Sequence, residues 1–212
     1  TLSTAPMLNS DKLLRATLDG AEITELATGL NYSGDVVFDP ESRKIFVSVL
    51  VGRKIVQCNP DGSEMKDFVT GLINPDEMAI DAENRRLYWS HSGEGGPIQS
   101  AKLDDGGDLK GVVTSRHRRM GVAIDPGEKH IYWVEADQNA IYRTDFDDQG
   151  EKLIVSGRNG LDALAIDLDN RKLYWTETGK ICQANLDGSG IEVLVADKTE
   201  EYASLVILPP KE

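Results

Sequence analysis

The sequence predicts an all-β fold, a five-bladed β-propeller built from four-stranded antiparallel blades. The 212-residue chain repeats itself about every 42 residues, a period typical of propeller blades. A short apolar segment that ends in aspartate recurs four times, at 36–39, 78–81, 122–125 and 164–167. A second segment follows each of these, at 45–46, 87–89, 131–133 and 173–175, and the last three of these segments contain a Tyr-Trp pair.

The inner half of a blade is clearest in the last repeat. Leu164–Ile166 is an unbroken apolar run, which predicts a strand buried on both faces. The turn Asp167–Asn170 is rich in side chains that bond their own backbone. Leu173–Thr176 combines aromatic and β-branched residues, so we expect it to be the second strand.

The outer half of the same blade follows directly. Ile181–Leu186 is predicted to be the third strand, and Asp187-Gly188 is a strong hairpin signal because a tight turn needs positive φ. Ile191–Val195 alternates in polarity and is predicted to be a half-exposed outer strand. Stacked blades would bury aromatic faces that one blade alone leaves exposed.

The two ends of the chain predict how the propeller closes. Leu13–Leu18 matches the third strand of a blade, yet only about a dozen residues precede it. Leu205–Leu208 near the C-terminus matches an inner strand with no blade after it, and Pro209-Pro210 ends it. We therefore expect Leu205–Leu208 to complete the first blade, giving one domain over residues 1–212.

Composition narrows the range of partners. The net charge of −13 argues against nucleic acid, because phosphate binding needs a positive surface. The basic run Arg116–Arg119 is interpreted as a solvated loop. No apolar run approaches the roughly 20 residues that a membrane span needs, so no membrane insertion is expected.

The protein is expected to be secreted and to have two free cysteines. The chain begins at Thr1 without a signal peptide, which fits a mature secreted protein, and Asn31-Tyr32-Ser33 is a glycosylation sequon. Cys58 and Cys182 fall in blades that are not neighbours, whereas a disulfide needs Cα atoms within about 7 Å. No intrachain disulfide is therefore predicted, and each thiol is expected to be buried.

Tyr174–Glu177, preceded by Leu164–Asp167 and followed by Asn185–Ser189, resembles the YWTD repeat of the low-density-lipoprotein-receptor family. The resemblance extends over the whole chain. It implies an extracellular, non-enzymatic propeller that binds a protein or peptide on one face of the disc. This chain departs from the family in having five predicted blades rather than six. It also departs at the last motif position, which is Val49, His91, Glu135 or Glu177.

A stand-alone five-bladed propeller is also the architecture of tachylectin-type lectins, which is an analogy of fold alone. In a lectin, aromatic rings stack on the sugar beside carboxylates or amides. Tyr32 with Asp35, and Tyr202 with Glu201, are the candidates for such a glycan site.

The loops that enter the inner strands are expected to converge on one end of the central channel. They carry the candidate ligand-binding residues, which are Tyr32, Asp35, Asp76, Glu77, Arg118, Arg119, Asp162, Glu201 and Tyr202. The sequence contains no credible catalytic triad, zinc pattern or phosphate loop, so we expect no catalysis. The inferred function is recognition of a glycan, a peptide or a protein on this face.

The alternative function is hydrolysis that depends on calcium. Calcium takes six to eight oxygen ligands, and Asp35, Asp76 and Asp162 are the candidate metal ligands. Lactonase-like propellers hold such a metal at the channel top, where it polarises the substrate. Calcium is thus the one candidate cofactor.

The turns at Asp39, Asp81, Asp125 and Asp167 recur from blade to blade, each with a basic residue four to five places later. A feature present in every blade is better explained by turn chemistry than by a site. We therefore expect structural pairs between each aspartate and the basic residue of its own turn.

Deletion of residues 203–212 tests the predicted closure. Because the inner strand of the first blade would be lost, we expect the melting temperature of the whole protein to fall. An unchanged melting temperature would show that Leu205–Leu208 does not close the propeller.

Overall fold

The computed structural model describes residues 2–6, 11–17, 22–93, 95–114 and 118–196, and for 2–6 and 17 it describes the backbone alone. These residues form strands and turns, with one three-residue 3-10 helix at Ala136–Gln138. No helix in the described ranges is long and apolar enough to cross a membrane. The prediction of an all-β fold is therefore confirmed.

The chain divides into two compact units, Thr1–Gly93 with Gln99–Lys110, and Glu94–Ile98 with Gly111–Glu212. The prediction of one domain over 1–212 stays a prediction. The strands are β1 (Leu2–Pro6), β2 (Leu13–Thr17), β3 (Ile23–Ala27), β4 (Ser33–Asp39), β5 (Lys44–Val49), β6 (Lys54–Cys58), β7 (Lys66–Thr70), β8 (Pro75–Asp81), β9 (Arg86–His91), β10 (Ile98–Lys102), β11 (Lys110–Val113), β12 (Arg119–Asp125), β13 (His130–Glu135), β14 (Ala140–Asp145), β15 (Lys152–Val155), β16 (Leu164–Asp167), β17 (Lys172–Glu177), β18 (Lys180–Asn185) and β19 (Glu192–Ala196).

Consecutive strands pair antiparallel, as the repeat predicts. In the first unit β4, β5, β6 and β7 form one four-stranded sheet, β8 pairs with β9, and β9 pairs with β10. In the second unit β12–β15 and β16–β19 follow the same order. The first sheet contains β1, β2 and β3. Its predicted inner strand, Leu205–Leu208, lies outside the described residues, so the count of five blades and the closure stay predictions.

A hydroxyl at the third position of the YWTD-like motif, Ser48 or Thr176, binds a backbone amide near the start of the paired inner strand. The register of β4 against β5 shifts between Ser33 and Val36, and the Asp35 amide donates to Ser48 Oγ at 2.7 Å. In the last sheet the Ala163 amide donates to Thr176 Oγ1 at 3.0 Å. The hydroxyl therefore satisfies an amide that the ladder leaves unpaired.

The Tyr-Trp segments fill the cores of both units. Trp89, in the first unit, packs with Phe46 and Ile55 of the preceding sheet. Trp175, in the second unit, packs with Tyr132 and Ile141 of the preceding sheet. All three tryptophans of the chain are fully buried. The aromatic rings thus join one sheet to the next within each unit, as expected.

Each turn aspartate binds its own turn, as predicted. Asp39 accepts from the Ser42 hydroxyl at 2.6 Å and from the amides of Glu41 and Ser42, both at 3.2 Å. Corresponding amide bonds close the turns after Asp81, Asp125 and Asp167.

The expected pairing of each aspartate with the basic residue of its own turn is wrong. Asp39 pairs instead with Arg85 of the next turn, with Arg85 Nη2 at 2.9 Å from Asp39 Oδ2. Asp125 pairs likewise with Arg171, at 2.7 Å. Arg85 and Arg171 have left-handed backbones, with φ of 52° and 55°, and the contacts show that their side chains reach the preceding sheet.

We predict an acid-sensitive contribution of Asp39 to stability. Burial acts to raise the pKa of Asp39, but hydrogen bonds from Arg85, Ser42 and the Glu41 amide outweigh it and lower the pKa to about 2. A lowered pKa stabilises the fold above the unfolded pKa of 3.8 and loses that effect as pH falls toward 2. Asp39→Asn should therefore cost about 2 kcal/mol of unfolding free energy at neutral pH.

Urea denaturation between pH 7 and pH 2 provides the measurement. The difference between the wild type and Asp39→Asn should shrink below about pH 4. Asp104→Asn is the matched control, because Asp104 binds the same Arg85 at 2.6 Å but its side chain is 64% exposed. Equal losses of unfolding free energy for the two variants would show that the buried Asp39–Arg85 pair contributes no more than the exposed Asp104–Arg85 pair.

Candidate functional site

The candidate residues of the first unit lie where loops enter its inner strands. Tyr32 precedes β4, and Asp35 lies within it. Asp76 and Glu77 lie at the start of β8. The structure thus brings these four residues to two neighbouring inner strands of one unit.

Asp35 ties the two inner strands together. Its Oδ1 accepts from the Val36 amide at 2.7 Å, and its Oδ2 accepts from the Met78 amide of β8 at 2.8 Å. Burial raises the pKa of Asp35, and the two amide bonds oppose that rise. Both carboxylate oxygens are therefore engaged with backbone, which is a structural task for a residue predicted to bind ligand.

Asp76 lies beside the backbone of Gly34. A Cβ built on Gly34 would stand 3.0 Å from Asp76 Oδ1 and 2.5 Å from Leu50 Cδ1. A side chain at Gly34 would require the side chains of Leu50 and Asp76 to shift. Asp76 and Glu77 are half-buried carboxylate residues at the start of β8.

Three exposed apolar side chains lie on the loops around these carboxylates. Tyr32 is 40% exposed, Val51 69% and Ile73 52%. Their loops are bonded to one another: the Leu50 amide donates to the Tyr32 carbonyl at 2.9 Å, and Arg53 Nε donates to the Leu72 carbonyl at 2.8 Å. We name Tyr32, Val51, Ile73, Asp76 and Glu77 the loop patch.

The loop patch is held in a fixed conformation. Asn31 and Tyr32 both have positive φ, 46° and 69°, and this backbone costs an ordinary residue about 1–2 kcal/mol. Buried His91 donates from Nδ1 to the Ile73 carbonyl, and its Nε2 lies 3.0 Å from Gln99 Oε1. The bond from the Leu50 amide to the Tyr32 carbonyl supports the strained, exposed tyrosine, and strained residues are frequent at binding sites.

The second unit holds the candidates Arg118, Arg119 and Asp162. Arg119 is fully buried, and its Nη1 donates to the Gly96 carbonyl at 2.7 Å. Burial lowers the pKa of Arg119, and the charge of Glu135 opposes that effect. Arg119 is therefore part of the interior and is not presented to a ligand.

Arg118 and Asp162 interact through their charges. Arg118 is exposed, and its amide donates to Asp137 Oδ2 at 3.1 Å. Burial raises the pKa of half-buried Asp162, and the positive charge of Arg118 opposes that rise. Glu201 and Tyr202, the remaining candidates, lie outside the described residues.

The described residues contain no group of three or more His, Cys, Asp or Glu side chains that could hold a metal ion. Asp35 already accepts two amides, so both of its carboxylate oxygens are engaged with backbone. A calcium site formed by Asp35, Asp76 and Asp162 stays a prediction.

A buried charge cluster in the second unit escaped the sequence analysis. Glu177, at the last position of the Tyr-Trp motif, accepts from Arg158 Nε at 2.7 Å and Arg158 Nη2 at 2.6 Å. Burial acts to raise the pKa of Glu177, but Arg158 and Lys180 outweigh it and lower the pKa. Glu177 is held as an ion, so it does not serve as a general acid. The motif position marked Glu177, but nothing marked Arg158 as its partner.

Both cysteines of the chain, Cys58 and Cys182, are free and buried. Burial raises the pKa of the Cys182 thiol, and the nearby charge of Glu177 adds to that rise. Cys182 is therefore a protonated thiol at neutral pH, and such a thiol is a poor nucleophile.

Comparison with known proteins shows the fold. No protein-family model matches the sequence. The nidogen propeller of a nidogen/laminin crystal structure has a TM-score of 0.82 at 18% identity, over 93% of this chain and 78% of that one. TolB from Acinetobacter baumannii has a TM-score of 0.74 at 13% identity, over 92% of this chain and 52% of TolB. A gluconolactonase from Xanthomonas campestris has a TM-score of 0.75 at 15% identity, over 92% and 71%.

These likenesses confirm a β-propeller fold. Membership of the YWTD family stays a prediction, because it rests on the sequence resemblance alone. The prediction that the chain is not an enzyme is wrong as an inference from its fold, since a gluconolactonase shares that fold at 15% identity. The architecture is compatible with catalysis as well as with recognition.

We predict that Asp35 supports the structure of the first unit. Asp35→Ala removes two acceptors and leaves the Met78 amide unpaired, so unfolding free energy should fall by roughly 1–3 kcal/mol. Asp162→Ala is the matched control, because Asp162 is also a half-buried aspartate with a raised pKa. Urea denaturation of both variants provides the comparison, and similar losses would contradict a structural role specific to Asp35.

Proposed function

We propose that the loop patch binds a protein or a peptide segment. The observation that carries this proposal is the grouping of exposed Tyr32, Val51 and Ile73 on loops joined by hydrogen bonds, beside the carboxylates of Asp76 and Glu77. Grouped apolar side chains with a polar border are typical of protein-binding surfaces. Rigid loops also reduce the entropy lost on binding.

The charge of the surface indicates which ligands it prefers. Asp76 and Glu77 supply negative charge at the patch, and the whole chain carries a net charge of −13. A ligand with lysine or arginine beside apolar residues would complement both features, and its approach would be accelerated by the opposite charge. We therefore propose an apolar and basic peptide segment as the preferred ligand.

The nidogen/laminin structure supports the proposal, because it is a complex of a protein that shares this fold with a protein partner. The YWTD resemblance adds a further argument, since those propellers bind proteins outside the cell. We accordingly propose an extracellular location. Tyr32 is the single exposed aromatic residue of the loop patch, so a peptide is favoured over a glycan, which is usually held by stacking on aromatic rings.

Selection from a phage library of random peptides on the full chain tests the proposal. Enriched sequences should combine apolar residues with lysine or arginine. Their synthetic versions should bind more weakly at high salt, because screening reduces the attraction between opposite charges. A glycan array run alongside covers the competing ligand class.

Ile73→Asp should weaken binding of the selected peptides by about tenfold or more, because it adds charge to the apolar part of the loop patch. Ile23→Asp is the matched control: Ile23 lies on β3 away from the loops, is 68% exposed, and takes the same substitution. Fluorescence anisotropy measures both dissociation constants. Equal effects of the two variants, or glycan binding without peptide binding, would refute the proposal.

A further inference from the structure

A cleft lies at the other end of the strands in the first unit, away from the loop patch. This cleft of about 430 Å³ is lined by Arg15, Ser42, Arg43, Lys44, Asn59, Pro60 and Asp61. Its residues come from β2, from the first residue of β5 and from the turns that follow β4 and β6. Antiparallel pairing places these turns opposite the β5–β6 loop, so the cleft is distinct from the loop patch.

The cleft is basic although the chain is acidic. Its lining includes three cationic side chains, Arg15, Arg43 and Lys44, and one carboxylate, Asp61. Asp61 is already bound by the Ser63 hydroxyl at 2.6 Å and the Ser63 amide at 3.0 Å. The excess of positive charge at this cleft, in a chain of net charge −13, favours an anionic ligand there.

Two of the cations are anchored in the walls. Lys44 Nζ donates to Asn59 Oδ1 at 2.6 Å and lies 3.2 Å from Glu64 Oε2. Arg15 Nη1 donates to the Pro60 carbonyl at 3.4 Å. These contacts hold both side chains at the cleft while leaving most of the Arg15 donors available.

Arg43 differs from the other arginines at its turn position. Arg43, Arg85 and Arg171 share the same left-handed backbone, with φ of 54°, 52° and 55°. Arg85 pairs with Asp39, and Arg171 pairs with Asp125. Within the described ranges, Arg43 makes no hydrogen bond or ion pair.

The sequence accounts for this difference. Leu205–Leu208 is the segment predicted to be the inner strand of the first blade, and it ends in leucine. The other four inner segments end in aspartate, at 39, 81, 125 and 167. The chain therefore has no aspartate at the repeat position that would supply a partner for Arg43.

We propose that this cleft binds a small oxyanionic ligand, whose carboxylate or phosphate group takes the place of the missing aspartate beside Arg43. The planar guanidinium of Arg43 offers paired donors that match either group. Arg15 and Lys44 add positive charge on the other walls. The cleft volume of about 430 Å³ lies in the range of small-molecule sites, so it also has room for the body of the ligand beyond its anionic group.

Isothermal titration calorimetry at low ionic strength tests the site, with citrate and inorganic phosphate as separate probes. We expect saturable binding of one molecule per chain for at least one probe. Stronger binding of citrate identifies a carboxylate ligand, and stronger binding of phosphate identifies a phosphorylated one. Absence of saturable binding for both overturns the proposal.

Arg43→Gln should weaken binding by about tenfold, because it removes a charged pair of donors. Arg43→Lys keeps the charge but not the fork, so its affinity should fall between that of the wild type and that of Arg43→Gln. Lys102→Gln is the control, because it removes one charge from an exposed side chain outside the cleft.

Arg43 is exposed and has no partner among the described residues, so its substitution should leave the melting temperature unchanged. Equal weakening by Arg43→Gln and Lys102→Gln would indicate attraction to net charge alone and would refute a specific site. The outcome is independent of the loop patch, since Ile73→Asp should not alter binding of either probe.

Discussion

The turn carboxylates Asp39 and Asp125 each carry out two tasks at once. Asp39 closes its own turn through Ser42 and binds Arg85 from the turn of the next sheet. Asp125 forms the same bond with Arg171 in the other unit. Asp39 is fully buried and Asp125 is 2% exposed. A buried carboxylate without a cation would be strongly unfavourable, so correct turn formation and correct sheet packing depend on each other.

Side chains also bind backbone groups at the start of the inner strand. The bulge in β4 frees backbone amides, and the chain satisfies them with side chains, Ser48 for the Asp35 amide and Asp35 for the Val36 and Met78 amides. Asp35 thereby joins two strands, and both of its carboxylate oxygens are used in backbone hydrogen bonds. Recognition is left to the residues that project beyond it, Tyr32, Val51 and Ile73. The division is physical, because a carboxylate that anchors backbone has little capacity left for a ligand.

The sequence allowed the strand order to be predicted because the repeat has the period of a blade and the turn residues have local chemistry. Pairs between blades were harder to predict. Arg171 lies 46 residues from Asp125, whereas each aspartate has a basic residue four to five places away in its own turn. Proximity in sequence favoured the basic residue of the same turn as the partner. The left-handed backbone of Arg85 and Arg171, whose side chains reach the preceding sheet, could not be predicted from the sequence. Ile73 was missed for a related reason: a single apolar residue in a loop creates no periodicity.

The two partners of the recurring aspartate–arginine pair differ in how costly their loss is. Loss of Arg85 would leave the buried carboxylate of Asp39 without its cation, which is costly. Loss of an aspartate leaves an arginine that water can still solvate, as the exposure of Arg43 shows. The repeat can therefore drop a carboxylate at one blade without a large loss of stability, and the released arginine becomes available to bind an anion from outside. Arg43 is in this position, beside a cleft that already carries two further cations.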